Sequence, residues 1–315
     1  MVSKRFIYLL VFMLSITVKA SFILLPMDET SQQNHLKAYG ITYWCLDKNY
    51  KASWLLNYRG GSFLLPDVLE IRKECQIRGV SFEVLSDSEE TTILNEISSP
   101  SQNMESVVLE KAPKIAVYTP KGKQPWDDAV TLVLTYAEIP FTPIYDDEVL
   151  TDQLLLYDWL HLHHEDFTGQ YGKFYGAYKN TPWYIEQKKE AEVLASQLGY
   201  AKVSQEKGAV AKKIRDFVIG GGFMFAMCSA TDSFDIALAA DGIDICESMF
   251  DGDASTANYQ SKMNYGNSFA FKDFTLERRP EQYEFSDIDM TVKRRIPMEK
   301  DYFTLMEFSA KWDPI

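Results

Sequence analysis

The chain has 315 residues, of which 46% are hydrophobic and 14% aromatic. This length and composition supply enough apolar surface for one large core or two adjoining cores, and they exclude an intrinsically disordered protein. The formal net charge of −13 at pH 7 opposes binding to phosphate backbones and to anionic membrane surfaces, so we expect no nucleic-acid partner.

Residues 1–20 are typical of a secretory signal peptide. The basic pair Lys4 and Arg5 precedes an unbroken apolar run, and the small residue Ala20 stands at the cleavage position before Ser21. The apolar run is shorter than the ~20 residues that a membrane-spanning helix needs. We therefore expect cleavage after Ala20, no stable membrane insertion afterwards, and a periplasmic or secreted protein.

Four cysteines follow that segment at widely spaced positions: Cys45, Cys75, Cys228 and Cys246. Four thiols in an oxidising compartment allow three disulfide pairings, but this spacing is not typical of a disulfide framework. The sequence therefore predicts that most of these thiols are reduced or buried.

Residues 21–110 are predicted to form a smaller N-terminal α/β lobe, because apolar strand-like runs alternate with helical periodicity. One helix is amphipathic, with Val68, Ile71, Cys75 and Ile77 on one broad face. The predicted elements are a strand at 21–27, a helix at 32–48, a strand at 53–58, the amphipathic helix and a strand at 80–85.

A turn with the sequence Arg59-Gly60-Gly61 follows the second predicted strand. Glycines beside an arginine are a candidate anion cradle, since backbone N–H groups and the guanidinium can converge on a ligand. The alternative is an ordinary turn between two elements. The stretch from 86 to 111 is polar and loosest at "SSPSQN", which predicts a lobe boundary near residue 110.

Residues 111–315 repeat the alternation of strands and helices more strongly, which predicts a doubly wound, mostly parallel sheet. Such sheets place their functional sites beyond the carboxyl ends of the strands. The alternation weakens after Phe250, and the chain ends without a cap or polar tail, so we expect this domain to be incomplete at its C-terminus. The predicted strands are 114–120, 140–147, 157–167 and 223–227, and the predicted helices are 125–139, opened by Pro125, 181–200, 204–222 and 229–242.

Cys228 is predicted at the turn from the last of these strands into the next helix. The small residues Ser229 and Ala230 allow a tight turn, and free N–H groups at a helix start can activate a thiol and hold an oxyanion. The glycines of the hydrolase elbow are missing, so a structural cysteine is the alternative. Asp232, just inside the helix, is a candidate binding residue or a helix cap.

Histidines cluster in the segment His161-Leu162-His163-His164-Glu165. If this strand neighbours the strand that leads to the cysteine, His163 or His164 can serve as the general base, with Glu165 as its acidic partner. Together with His161 they are also adequate zinc ligands, provided the strand has become a loop there, since neighbouring residues on a strand point to opposite faces. Hydrogen-bonded structural histidines are the third alternative.

Several stretches together resemble a family of exported bacterial proteins labelled asparagine synthetase B. The resemblance covers nearly all the mature chain, and the second lobe is similar to the class I glutamine amidotransferase-like fold, which is flavodoxin-like. The stretches are "LNYRGGSFLLP", "PWDDAVTLVLTYAEIPF", "YDWLHLHHEDFTGQYGKFY", "AKKIRDFV" and "GGGFMFAMCSATDSFDIALAADGIDICESMFDGD".

The resemblance implies a nucleophile at Cys228, with a histidine and an acidic residue near the end of the domain. No histidine follows His164 in this chain, and the family members are longer, so a C-terminal truncation would account for the difference. An ATP-dependent asparagine synthetase is not expected, because the S-G-G-x-D-S pyrophosphate loop and the N-terminal catalytic cysteine are both missing.

Three functions follow as hypotheses. The first is a cysteine-dependent amide hydrolase with a pocket around Cys228 and residues 161–166. The second is a protein that binds a small molecule or peptide on the same fold without catalysis. The third is a metal-dependent hydrolase with zinc on the three clustered histidines. The first two need no cofactor, and amide chemistry in the first is an analogy from fold.

Overall fold

The computed structural model describes residues 22–122, 128–289 and 299. The predicted signal peptide, its cleavage site and the helix start at Pro125 lie outside these residues. The described chain divides into two compact units. The first contains residues 22–112 and 136–139, and the second contains the remainder.

The first unit is built on a five-stranded sheet in the order β4-β1-β3-β2-β5, and every neighbouring pair is antiparallel. The sheet therefore differs from the parallel sheet of the second unit. Its elements are β1 (Phe22–Leu25), α1 (His35–Asp47), β2 (Ala52–Leu56), β3 (Phe63–Pro66), α2 (Leu69–Arg78), β4 (Glu83–Leu85), α3 (Asp87–Ile97) and β5 (Glu105–Leu109).

The two faces of this sheet are covered by different helices, because side chains alternate along each strand. Ile23 and Leu25 of β1 pack with α1 and α2. Leu24, which points to the other face, packs with Ile97 at the end of α3. The amphipathic face predicted for α2 is correct for Ile71 and wrong for Ile77, whose side chain is 77% exposed.

The second unit contains a four-stranded sheet in the order β7-β6-β8-β9, and all three neighbouring pairs are parallel. The predicted α/β class is confirmed for this unit. Its elements are β6 (Ile115–Tyr118), α4 (Ala129–Ala137, whose last two residues belong to the first unit), β7 (Phe141–Ile144), α5 (Asp146–Leu150), β8 (Trp159–Leu162), α6 (Tyr175–Tyr178), α7 (Pro182–Gln197), α8 (Val203–Ile219), β9 (Phe223–Ala226), α9 (Cys228–Ala239) and α10 (Ser248–Asp251).

The core of the second unit lies between the sheet and the helices α5, α8 and α9. Leu160 and Leu162 of β8 pack against Ile214 of α8 and Phe234 of α9. Because the strands are parallel, their carboxyl ends share one edge, and β6 has its successor β7 on one side and β8 on the other. Chain connections thus diverge between β6 and β8, which is where parallel α/β sheets open a crevice.

Within the described ranges, no helix combines the length and the apolar composition that crossing a membrane requires.

Candidate functional site

Cys228 stands at a sharp turn between β9 and α9. β9 ends at Ala226, Met227 has an extended backbone with φ −129° and ψ 166°, and Cys228 already begins the helix. The backbone of Cys228 has φ +49°, a left-handed conformation that residues with a Cβ rarely adopt. Its side chain is exposed. The turn therefore presents the thiol at the carboxyl edge of the parallel sheet in a strained conformation.

Two backbone hydrogen bonds tie this turn to the end of β8. β8 and β9 are neighbours in the sheet. Beyond their last pair, the Met227 N–H donates to the Leu162 carbonyl at 3.0 Å, and the Ala230 N–H donates to the His163 carbonyl at 3.3 Å. The strand that carries the histidines thus lies directly beside the strand that leads to Cys228.

The sequence predicts that the small residues Ser229 and Ala230 shape this turn and that N–H groups at the helix start can hold an oxyanion. The Ala230 N–H donates to the His163 carbonyl and is therefore already used within the turn. The Ser229 hydroxyl donates to the His164 carbonyl at 2.9 Å. Among the described residues, no backbone carbonyl accepts the Ser229 N–H. It is one of the N–H groups at the start of α9 that have no acceptor within the helix.

Asp232 and Ser233 lie in the second turn of α9 and cap nothing, because the N-cap position is Met227. The Ser233 hydroxyl donates to the Glu165 carbonyl at 2.9 Å. Asp232 is only 4% exposed, and no donor among the described residues reaches its Oδ2. Burial raises the pKa of Asp232 to about 7, and the negative charge of Asp289 contributes to this increase. Asp232 is thus a buried carboxyl group that does not line the cleft described below, and its role as a binding residue stays a prediction.

The three clustered histidines do not share one environment: His161 is buried, whereas the rings of His163 and His164 contact each other. His161 is 6% exposed, and its ring stacks on Phe225 with 5.5 Å between centroids. β8 ends at Leu162, so His163 and His164 lie in the loop and their rings meet, with their Nδ1 atoms 3.2 Å apart. The predicted opposite orientation of the two rings is wrong, because extended geometry has already ended. The three imidazoles do not converge on one point.

Asp128 adds a carboxylate to the surroundings of these histidines. Its Oδ1 accepts the N–H groups of Val130 at 2.8 Å and Thr131 at 3.1 Å, so it caps α4. Burial lowers the pKa of His164, and the neighbouring His163 lowers it further. The negative charge of Asp128 acts in the opposite direction but is the smallest of these causes. The sequence did not single out Asp128, because capping acids are common.

A tyrosine from a distant part of the chain lies at the Cys228 turn. The Tyr283 hydroxyl lies beside the Cys228 sulfur and the Ser229 hydroxyl. Burial raises the pKa of Tyr283, and the nearby Cys228 raises it further. The phenol therefore keeps its proton and can donate a hydrogen bond to sulfur or to an oxyanion. Tyr283 lies in irregular structure after α10, where no periodic pattern marks it in the sequence.

Within the described part of the chain, one group of acidic and thiol side chains is compact enough to share a metal ion: Asp244, Cys246 and Asp251. The Lys202 ammonium already lies 2.5 Å from Asp244 and 3.0 Å from Asp251. Burial raises the pKa of the Cys246 thiol well above its usual range, and the thiol donates to the Thr168 carbonyl at 3.2 Å. These residues do not fit a zinc ion.

A cleft of about 400 Å³ opens at the carboxyl edge of β6, β7 and β8. The residues that follow each of these strands form its walls, and α7 and α8 complete them. It lies where the chain connections diverge between β6 and β8. His164, Glu165 and Asp166 line it, but Cys228 does not. The pocket that the sequence places around both Cys228 and residues 161–166 is thus a cleft beside the 164–166 loop alone.

Lys207 forms a buried ionic cluster at one wall of this cleft. Its Nζ lies 2.8 and 2.6 Å from the two carboxylate oxygens of Asp146 and donates to the hydroxyls of Tyr118 at 3.0 Å and Tyr145 at 3.1 Å. Burial lowers the pKa of Lys207, but the Asp146 carboxylate, together with Tyr118, Tyr145 and Glu206, outweighs burial and holds this pKa well above its usual range. The sequence analysis missed this cluster, although Tyr118 and Asp146 stand at strand ends.

Glu165 is enclosed at the same edge. It is 5% exposed, and its Oε2 accepts the His163 N–H at 3.0 Å. No donor in the described ranges reaches its Oε1. Burial raises the pKa of Glu165 to about 7. The structure therefore holds a carboxyl group that changes charge near neutral pH, on the loop that separates the cleft from the Cys228 turn.

The predicted anion site at Arg59, Gly60 and Gly61 is not supported. The Arg59 guanidinium binds Asp28 at 3.0 Å and both carboxylate oxygens of Glu83 at 2.8 Å, so its charge is already matched. Gly60 has φ +80°, and a Cβ there would lie 2.5 Å from a backbone carbonyl oxygen. The glycines serve a close turn.

Two groups of candidate residues remain at the carboxyl edge of the second sheet. One comprises Cys228, the Ser229 N–H, the His163–His164 pair and Tyr283, and the other lines the cleft around Glu165. Comparison of the chain with protein-family models, with curated proteins and with solved structures finds no match.

Proposed function

We propose that the second unit is a cysteine-dependent hydrolase that cleaves amide bonds in a small molecule or peptide, with Cys228 as nucleophile. The observation that carries the proposal is the left-handed backbone of Cys228 at an exposed strand-to-helix turn. Maintaining such strain in a residue other than glycine requires a constraint from its surroundings, and strained strand-to-helix turns are typical of nucleophiles.

The surroundings of the thiol supply the remaining chemistry. A neutral imidazole of the His163–His164 pair takes the thiol proton, and the sulfur attacks the substrate carbonyl carbon. The Ser229 N–H stabilises the resulting oxyanion. The imidazolium returns the proton to the leaving amine as the carbon–nitrogen bond breaks. Water then hydrolyses the thioester, which regenerates the thiol and releases the acid.

The sheet order and the resemblance support the same proposal. In the order β7-β6-β8-β9, the second strand of the unit lies at the sheet edge beside the first strand. The third and fourth strands follow on the other side of the first, as in flavodoxin-like sheets. We propose that the unit belongs to the class I glutamine amidotransferase-like group and acts after export in the periplasm or outside the cell. No histidine follows Cys228 in the sequence, so the proposed base comes from upstream in this chain.

The test measures two rates at pH 7, the alkylation of Cys228 by iodoacetamide and the release of nitroaniline from aminoacyl nitroanilides. We expect Cys228→Ala to abolish hydrolysis. We expect His163→Ala combined with His164→Ala to slow hydrolysis about 10²-fold or more, since a general base contributes about that much, and to slow alkylation as well.

His161→Phe is the matched control, because His161 lies on the same strand but stacks on Phe225. It should leave both rates unchanged. Hydrolysis that survives Cys228→Ala, or an alkylation rate that is the same in all variants, would show that Cys228 is not an activated nucleophile.

A second candidate function is ligand binding without catalysis, and it is favoured by the separation of the cleft from Cys228. In that case Cys228 is a strained but inert thiol and the cleft is the functional site. A metal-dependent hydrolase is not proposed, because His161 is packed on Phe225 while His163 and His164 meet elsewhere.

A further inference from the structure

The charged side chains that line the cleft leave an excess of negative charge. Four carboxyl groups line it, against two ammonium groups, those of Lys121 and Lys207. Both ammonium groups are already matched. Lys207 binds Asp146, and Lys121 binds Asp147 at 2.6 Å and also Glu148. Among the residues that the structure describes, the cleft therefore offers no free ammonium group to an anionic ligand.

In one of the four carboxyl groups, that of Asp166, both oxygens already accept hydrogen bonds from the protein. Asp166 accepts the Thr168 N–H and hydroxyl at 2.6 Å each with one oxygen, and the Gly172 N–H at 3.0 Å with the other. These bonds fold the loop that follows β8. Asp166 is thus a structural residue of the cleft wall, and the capacity to bind a ligand lies with other groups.

The cleft contains buried acceptors that lack donors. Among the described residues, no donor reaches Glu165 Oε1, Gln187 Oε1 or Asp147 Oδ1, and all three residues line the cleft. Glu165 is 5% exposed. A buried acceptor left unpaired costs about 1–3 kcal/mol, so several of them around one cavity favour a ligand that brings N–H groups.

Glu190 adds a further carboxylate from α7. Its Oε2 lies 2.6 Å from the position that a Cβ of Gly122 would occupy, so the carboxylate approaches the backbone that follows β6. Glu190 and Glu165 are on different elements, α7 and the loop after β8, and both line the cleft. Carboxylates on separate walls suit a ligand with more than one donor group.

We infer that this cleft binds a small organic cation with several N–H donors, such as a diamine, an amidine or a guanidine. Its volume of about 400 Å³ lies within the range of small-molecule sites. Glu165 accepts the cationic group, Gln187 and Asp147 accept further N–H donors, and the apolar side chains of Phe174 and Leu194 cover the carbon chain. The site is independent of Cys228 and goes beyond the proposed hydrolysis.

The test is isothermal titration of the full chain with four probes of similar length: 1,4-diaminobutane, agmatine, the neutral 1,4-butanediol and the anionic succinate. We expect saturable binding of the two cations alone. Glu165→Gln keeps the shape of the side chain but removes its charge, and it should weaken binding of both cations about tenfold or more. Gln187→Glu adds a carboxylate and should tighten binding.

Glu186→Gln is the matched control, because Glu186 is exposed, is on the same helix as Gln187 and does not line the cleft. It removes one negative charge and should leave both affinities unchanged. Cys228→Ala should leave them unchanged too, which separates this site from the proposed catalysis. Absence of saturable cation binding, equal binding of succinate, or an equal loss in Glu186→Gln overturns the inference.

Proton linkage gives a second readout. Burial raises the pKa of Glu165 to about 7, and the charge of Asp128 at the start of α4 acts in the same direction. The N–H groups of His163 and Glu165 and the ammonium of Lys207 on α8 lower this pKa, but burial outweighs them. Only the ionised carboxyl attracts a cation, so wild-type affinity should rise about tenfold from pH 6 to pH 8. Glu165→Gln should abolish most of this rise, and a pH dependence that persists in the variant contradicts the assignment to Glu165.

Discussion

Lys207 and Asp146 are each almost completely enclosed, with exposed fractions of 5% and 2%. Enclosing an ammonium or a carboxylate alone is strongly unfavourable, and a pair is tolerated only when geometry and additional hydrogen bonds compensate for lost hydration. Here the hydroxyls of Tyr118 and Tyr145 complete the coordination of the ammonium. The pair therefore depends on both of its members.

We predict that Lys207→Met destabilises the second unit by about 3–5 kcal/mol, because it leaves the Asp146 carboxylate buried without its counter-charge. Urea denaturation measures the free energy of unfolding. Lys212→Met is the control on the same helix, since the Lys212–Asp241 pair is exposed, and it should change the stability by less than about 1 kcal/mol. Equal effects of the two substitutions would refute a structural role of the buried pair.

The sequence patterns predicted which residues lie at the edge of the second sheet better than they predicted how deeply those residues are buried. A cysteine between a strand and a helix indicates a turn, and the structure has that turn. Burial of Asp232 and Lys207 was not predictable, because lysine and aspartate on helices usually face water. Their positions depend on which elements pack together, and that information is spread over distant parts of the chain.

At the scale of elements, β3 and α3 show what local patterns miss. The run Phe63–Pro66 follows two glycines and has only four residues, so it gives too short a pattern to indicate a strand. It becomes one through pairing, with Leu64 opposite Leu24 of β1 and Ser53 of β2. The polar stretch from 86 to 111 likewise gave no pattern that indicates an element, although it contains α3 and β5.

A capping box starts α3 and was visible in the sequence. Ser86 accepts the Glu89 N–H, and the Glu89 carboxylate accepts the Ser86 N–H at 2.8 Å. We predict that Ser86→Ala destabilises the first unit by about 1 kcal/mol, whereas Ser86→Gly costs only a few tenths, because glycine is tolerated at an N-cap. Thermal denaturation checks the order of the two variants. An alanine variant as stable as the glycine variant would mean that the box contributes nothing.

At the scale of the whole chain, its 45 acidic residues do not all form a solvated surface. The second unit encloses several carboxyl groups: Asp146, Glu165, Glu206, Asp232, Asp235 and Glu284. Asp235 is satisfied by the N–H groups of residues 269–271 at 2.8 Å, but burial raises the pKa of Glu206 to about 8. Glu206 therefore binds a proton in the folded chain near neutral pH and releases it on unfolding.

We predict that the unfolding free energy falls by roughly 3 kcal/mol between pH 6.5 and pH 8. Glu165 and Asp232 have a folded pKa of about 7 and Glu206 one of about 8, all above their unfolded values. Each therefore stabilises the fold at low pH, and that contribution is lost as pH rises through the folded pKa. Urea denaturation at the two pH values measures the change.

Replacing the three carboxyl groups by the matching amides, as Glu165→Gln, Asp232→Asn and Glu206→Gln together, should remove most of this pH dependence. Burial lowers the pKa of His161 and His164, so each of these residues opposes the fall, by at most about 0.4 kcal/mol above pH 6.5. A wild-type stability that stays constant or increases over this interval would disprove the proposed linkage.

The accessibility of the cysteines makes the protein suited to optical measurement. Cys228 is exposed, whereas Cys45, Cys75 and Cys246 are buried, so a thiol-reactive fluorophore should label one position of the folded chain. The labelled turn is bonded to the backbone of residues 162–164, and His164 also lines the cleft. A dye on the natural Cys228 would therefore report, without any engineered residue, whether occupancy of the cleft reaches this turn through the 162–164 backbone.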